Sequence, residues 1–224
     1  MNRLKVITFD CYGTLIDWES GIRNAFRNSM GESKAPAGLE TKALEIYEEE
    51  ERRIESEKPH LLYRRVLSKT ALAVAGRIGW DLKPGDSNFL AASLPNWLPF
   101  KDTNPALERL ARNHKLGILS NVDNDLLAGT LKRFPVEFEI VVTAENVRSY
   151  KPAFAHFEAA HQLIGDQSWI HVAASQYHDI EPAATLGISA VWVNRKAGAL
   201  DHRYSKGQVS EVTDLSQLVH LLDS

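Results

Sequence analysis

The chain has a single cysteine, Cys11, in 224 residues, so no disulfide can form within it and a reducing compartment is expected. Nor is there an apolar run near the roughly 20 residues that a membrane-crossing helix needs. No basic-then-apolar leader precedes the first strand-like residues, and the expectation is a cytoplasmic chain, neither secreted nor membrane-bound. An excess of positive charge is also missing. The 26 Lys and Arg are interspersed with 29 Asp and Glu for a net charge of −3, which gives no footprint of a nucleic-acid binder. Repeats and low-complexity segments are absent, and the acidic run Glu48 to Glu51 reads as a solvated helix face. What is present is ordinary: 44% hydrophobic residues, enough to bury the core of one α/β domain or of a domain carrying a smaller inserted unit.

Lys5-Val-Ile-Thr-Phe-Asp10 opens the chain as a short buried strand, with Gly13 and Thr14 in the turn beyond it. After Trp18 the text turns helical and charged until about Leu94. Residues 38–54 place Leu39, Ala43, Ile46, Tyr47 and Ile54 at helical spacing, and a second amphipathic helix opens at Pro59 and stops at Gly79. Lys83 to Asp86 is a turn whose Asp86 caps a short helix to Leu94. From Pro95 onward strands at 115–120, 140–143, 169–173 and 190–193 alternate with helices at 123–134, 152–164, 180–186 and 215–222. The expected fold is α/β: a doubly wound parallel sheet, Rossmann-like, built from residues 1–17 and 95–224, with residues 18–94 inserted after the first strand as a helical cap.

Chemistry concentrates at the strand ends. Asp10 closes the first strand, Ser120 the second, Lys151 precedes a helix, and Asp179 follows the strand at 169–173. In a doubly wound sheet these ends converge on one crevice, so the four are expected to be neighbours. A carboxylate placed there is a candidate nucleophile, and a lysine beside it keeps it ionised. Ser120 and the amides near Asn121 offer donors at a helix start. Asp179 would also cap the helix that follows it. Cys11 reads as a small buried hydrophobe, His178 as a neighbour of Asp179, and Trp80 and Trp97 as packing.

Asp10-Cys-Tyr-Gly-Thr-Leu15 resembles the first motif of the haloacid dehalogenase superfamily, Leu119-Ser120-Asn121 its second, Tyr150-Lys151-Pro152 its third and Ser175 to Asp179 its fourth, in the same order and spacing. That superfamily consists mostly of phosphatases. They carry a second Asp two positions after the nucleophile, which protonates the leaving alcohol, and another at the position of Ala174, which helps to hold Mg²⁺; this chain has Tyr12 and Ala174 instead. Phosphoryl transfer is therefore disfavoured, because Asp10 would face a phosphate dianion almost unscreened. Halide leaves carbon as an anion and needs neither residue. The opening motif is similar to that of the 2-haloacid dehalogenases, which implies hydrolysis of short 2-haloalkanoic acids to 2-hydroxy acids through an ester on Asp10, with no metal and no cofactor.

The resemblance also implies roles. Asp10 is the nucleophile, Lys151 stabilises it, Asp179 positions the hydrolytic water, and Thr14 and Ser175 orient the carboxylates. Cys11, Tyr12, Ser120, Asn121 and Ser175 are the expected substrate-binding positions. Three positions depart from the pattern. The cap arginine that cradles the halide is missing from residues 40–47, leaving Lys42, Arg52, Arg53, Arg64 and Arg65 as substitutes between which the sequence does not choose. The Tyr six residues after the motif-three Lys is Phe157, and the motif-four Asn is Gln176. The implied partner is a small 2-haloacid, with a homodimer as a family-level expectation. Two alternatives stand beside this reading: a phosphatase on a small phosphometabolite, and a member without turnover that acts as a binding or scaffold protein.

Overall fold

The computed structural model describes residues 5–31, 39–200 and 209–223. In chain order these form β1 (Lys5–Phe9), α1 (Trp18–Met30), α2 (Leu39–Glu55), α3 (Tyr63–Ile78), α4 (Phe89–Ser93), α5 (Thr103–Leu110), β2 (Lys115–Ser120) and α6 (Asn124–Leu131). There follow β3 (Ile140–Thr143), α7 (Ala144–Val147), α8 (Ala155–Ile164), β4 (Ser168–Ala173), α9 (Glu181–Thr185), β5 (Ser189–Val193), β6 (Val209–Val212) and α10 (Leu215–Asp223). The chain divides into two compact units. One comprises Met1–Asp17, Pro99–Asn121 and Lys132–Ser224, the other Trp18–Leu98 and Val122–Leu131.

The first unit is a six-stranded sheet in the order β3-β2-β1-β4-β5-β6, parallel throughout. Strands β2 and β3 step away from β1 to one side, and β4, β5 and β6 to the other. Because parallel crossovers are right-handed, the two directions put their helices on opposite faces. On one face α5 packs against α10. On the other, α8 and α9 cover a core that includes Val6, Leu119, Phe157, Ala173, Ala183 and Trp192. Strand β1 lies in the middle, so Val6, Ile7, Thr8 and Phe9 are all fully buried. The strand order reverses between β1 and β4, and the carboxyl ends of these two strands are where open α/β sheets place their crevice. Where the chain leaves and re-enters this unit it runs side by side: Ile16 pairs antiparallel with Pro99, and Phe100 N donates to Leu15 O at 3.0 Å.

The helical unit holds α1 to α4 and α6. Phe26, Trp80 and Phe89 meet edge-on, with the Phe26 and Phe89 centroids 5.1 Å apart, so Trp80 is packing as expected. Gly21 is required where α1 meets Trp97, since a Cβ there would lie 2.4 Å from the indole. Helix α3 opens at Tyr63 rather than Pro59. The Asp123 carboxylate sets that start, accepting the Tyr63 N–H at 2.6 Å and the Arg64 N–H at 3.0 Å. Gly79 closes the helix in the left-handed conformation, φ 76°, as the sequence implies.

Other boundaries move. Gly38 lies outside the described residues. Asp86 ends a single 3₁₀ turn and does not cap the next helix, which Asn88 precedes. Helix α8 begins at Ala155, three residues past Pro152. Glu51 departs from the acidic run: Tyr47 and Tyr63 each donate a hydroxyl to its Oε1 at 2.5 Å, and burial pushes its carboxyl up, whereas Glu48, Glu49 and Glu50 face arginines outside. Among the described residues no helix is long and apolar enough to cross a membrane.

Candidate active site

Four segments of the sheet unit bring their side chains to the β1–β4 crevice. The loop after β1 is tight: Leu15 N and Ile16 N both donate to Cys11 O, and Gly13 sits at φ 99°, a conformation that favours glycine. Asp10 therefore projects from the strand end while its own N–H remains tied to Val172 O at 3.0 Å. Thr14, one turn on, returns its hydroxyl to Asp10 Oδ2 at 2.8 Å and accepts the Ala174 N–H at 2.9 Å.

Lys151 is the centre of the cluster. Its ammonium has three protons and three acceptors: Asp10 Oδ1 at 2.9 Å, Asp179 Oδ1 at 2.6 Å and Leu119 O at 2.9 Å. The side chain is 1% exposed. Burial opposes its charge, but the two carboxylates outweigh that and hold the ammonium above its ordinary value. Asn121 fixes the backbone beneath it, accepting the Lys151 N–H at 2.7 Å and donating to Lys151 O at 3.1 Å. Its amide is thus engaged with the main chain of Lys151.

The two carboxylates are not equivalent. Burial raises Asp10 above its ordinary value, Lys151 opposes the rise, and Asp179 adds to it. Burial would raise Asp179 too, but Lys151 and His171 prevail and hold it well below the usual carboxylate range. Asp179 lies in a single π-type turn, 176–180, which begins with Ser175. That serine's hydroxyl accepts the His178 N–H at 3.0 Å and meets His178 Nδ1 at 3.3 Å, and its carbonyl accepts Asp179 N at 3.2 Å. Ser175 therefore caps the turn that carries Asp179, and Asp179 itself turns inward to Lys151 instead of capping α9. Its Oδ2 is buried and unpartnered among the described residues, as is Ser120 Oγ. Ser120 O accepts from His156 Nε2 at 3.2 Å, and His156 is neutral because burial and then Lys151 push its pKa down to about 3. Cys11 is wholly buried, with its thiol pushed up by burial, and Tyr12 is half-buried in the loop.

A model of the haloacid dehalogenase-like hydrolases matches residues 4–188. The chain belongs to this family. It is 27% identical over 232 residues to an (S)-2-haloacid dehalogenase of Pseudomonas sp. (strain YL), covering 100% of this chain and 97% of that one. To haloacetate dehalogenase H-2 of Moraxella sp. (strain B) it is 25% identical over 229 residues, covering 99% of each. Among solved structures, the L-2-haloacid dehalogenase of Xanthobacter autotrophicus with chloropropionic acid covalently bound superposes with a TM-score of 0.81 at 18% identity, covering 99% of each chain, which shows the shared fold.

Sequence reasoning about this hydrolase passed over two groups. Arg195 donates to Thr14 O at 3.2 and 2.8 Å, pairs with Asp102, and covers the Phe100 ring at 3.9 Å, so it pins the loop that holds Asp10. Half-buried Trp169 and buried Thr8 and His171 form a line that ends on Asp179. Of the five cations named as substitutes for the missing halide-cradling arginine, none is buried. Arg52 pairs with Glu48, Arg53 with Glu50 and Glu57, and Arg64 with Asp123 and Asp125, while Lys42 and Arg65 are exposed.

Proposed function

We propose that this hydrolase cleaves carbon–halogen bonds in short 2-haloalkanoic acids without a metal. One oxygen of Asp10 attacks C2 from the face opposite the halogen, the C–O bond forms as the carbon–halogen bond breaks, and halide leaves as an anion. Water then adds to the Asp10 carbonyl carbon of the ester, Asp179 takes the proton, and collapse returns the carboxylate and frees the 2-hydroxy acid, inverted at C2. Ser120 Oγ, buried with no partner among the described residues, would donate to the substrate carboxylate.

The observation that carries this reading is that Asp10 is held by Lys151 with no second carboxylate at Tyr12 or Ala174 beside it. The wider family's phosphatases imply Mg²⁺, and the donor set here does not fit it. The place between the carboxylates is taken by a cation already, and at Ala174 the main-chain N–H is bonded to Thr14 and the carbonyl to the Trp192 indole at 3.0 Å. Mg²⁺ would have to share Asp10 and Asp179 with that ammonium and would find no side-chain oxygen at Ala174, and a phosphate dianion would find no counter-charge beyond the one shared ammonium.

The test is halide release from a panel of chloro-, bromo- and fluoro-acids, run beside a generic phosphatase assay, each with and without EDTA. Halide release indifferent to EDTA is expected. A single turnover in heavy-oxygen water should place the label in Asp10. EDTA-sensitive phosphate release without halide release would establish the phosphatase alternative, and label found only in product would remove the covalent step.

A further inference from the structure

Thr8 and His171 are polar residues in the two central strands, where Val6, Ile7, Phe9 and Val172 beside them are buried hydrocarbon. Both are fully buried, and the parallel register sets them side by side. Buried polar groups cost stability unless they are bonded, and the bonds here run in one direction. Trp169 Nε1 donates to Thr8 Oγ1 at 2.7 Å. Thr8 Oγ1 lies 2.9 Å from His171 Nδ1, and His171 Nε2 lies 3.1 Å from Asp179 Oδ1. An indole N–H only donates and an ionised carboxylate only accepts, which for a neutral ring sets the directions between them. In that ring the Thr8 hydroxyl donates to Nδ1, and Nε2–H donates to Asp179 Oδ1.

The aromatic neighbour of the imidazole offers it no further hydrogen-bond partner. Phe157 packs edge-on against it, centroids 5.1 Å apart, with no atom that hydrogen-bonds. Position 117 on β2 is glycine opposite Thr8, where a Cβ would lie 2.9 Å from Ile140 Cβ and 3.1 Å from Thr8 Cγ2. Any larger residue would displace Thr8 or β3.

From this we infer that His171 is a positioning residue for Asp179. Together with Lys151 it fills Oδ1, so that Oδ2 is the one oxygen of that carboxylate left to take a proton from water. The inference rests on the reading of Asp179 as the base of ester hydrolysis. In that step water adds to the carbonyl carbon of the Asp10 ester, its proton passes to Oδ2, the bond from that carbon to the product oxygen breaks, and the proton goes on to the leaving oxygen. Without the Nε2–H only Lys151 holds Oδ1, and the carboxylate loses one of the two contacts that fix its plane. The second step then slows, while displacement of halide does not.

The test uses 2-bromopropionate with wild-type enzyme, His171→Leu, His171→Gln and Thr8→Val. In His171→Leu kcat falls about 10- to 100-fold, the scale of a misplaced reacting group. KM falls with it, because enzyme accumulates as the ester, and intact-protein mass shows the adduct at steady state. His171→Gln, whose amide reaches the Nε2 position, recovers most of the rate. Thr8→Val keeps the shape of the strand, shows a smaller loss of the same kind, and carries the kinetic test if His171→Leu fails to fold. Nitrogen-15 spectra of wild-type His171 show a neutral ring protonated at Nε2. A His171→Leu enzyme that keeps its kcat and adduct level, one whose KM rises without adduct, or a ring protonated at Nδ1 would overturn the inference. If the wild type releases no halide from the whole panel, the dehalogenase reading falls separately, and the ring spectra alone decide how Asp179 is held.

Discussion

Lys151 at the sheet crevice and Arg77 on the helical unit are the same device in two settings. Each is a cation bridging two carboxylates, Asp10 and Asp179 in one case, Glu49 and Glu50 in the other. The Lys151 side chain is 1% exposed and the Arg77 side chain 43%. Burial separates their consequences. In the crevice no water competes, so removing one member leaves charge that nothing solvates, and carboxyl values move apart by direction: Asp10 up, Asp179 down. On the helix surface solvent screens Arg77 and Glu49, Glu50 is shared with Arg53, and the pair adds little. Arg64 stands between them, with Asp123 buried on one side and Asp125 exposed on the other.

Removing Lys151 gives the largest effect. Lys151→Ala abolishes turnover and costs about 3–5 kcal/mol, because Asp10 and Asp179 then share a site with no counter-charge. Lys151→Arg does not restore activity, since a planar guanidinium cannot place one nitrogen on all three acceptors. Halide release and urea unfolding check both. The pH dependence has a definite sign. The depressed Asp179 carboxyl contributes stability that is present above its ordinary value of 3.8 and lost as pH falls through its lower folded value. The variant lacks that contribution and gains from protonating its facing carboxylates, so the gap between the two unfolding curves narrows on acidification. A gap that widens would mean that the ammonium is not what holds Asp179 ionised.

This gradation explains how much the sequence could disclose. The sheet, its parallel order and the meeting of Asp10, Lys151 and Asp179 were legible because strand alternation and strand-end polar residues obey short-range rules that the crossover geometry then carries into space. His171 was not singled out, although a signal existed: Thr8 and His171 are polar in the interior of strands whose other interior residues are apolar. Asn121 and Ser175 were legible as site positions but not in their contacts, since a side-chain amide that bonds a main chain thirty residues away has no local signature. Arg195 was invisible for the same reason, as its partners Thr14, Asp102 and Phe100 come together only through the fold. Strand β6 is short and half-exposed, and α5 carries Pro105 in its first turn, so neither announced itself.

The intermediate cation sharpens the comparison. In Asp123→Ala the first turn of α3 loses the acceptor of two N–H groups and Arg64 loses its buried partner, while the exposed Asp125 remains. A loss of about 1–3 kcal/mol is expected, the range for a helix cap together with a buried hydrogen bond. Asp123→Asn, which keeps an acceptor oxygen but not the charge, recovers part of it. Urea midpoints measure both, and an Asn variant no better than Ala would assign the effect to the ion pair with Arg64 rather than to the cap.

The smallest effect belongs to Arg77. Its guanidinium meets Glu49 at 2.7 Å and Glu50 at 3.1 Å, distances as short as those at Lys151, so geometry alone would rank the two alike. Glu50 also keeps Arg53 at 2.9 Å when Arg77 is removed. Arg77→Ala should therefore unfold within the scatter of repeat wild-type measurements, in low salt and in high salt. A clear loss in low salt that vanishes in high salt would show that the outer face of the helical unit is an electrostatic network, and that burial is not the only property dividing Lys151 from its surface counterpart.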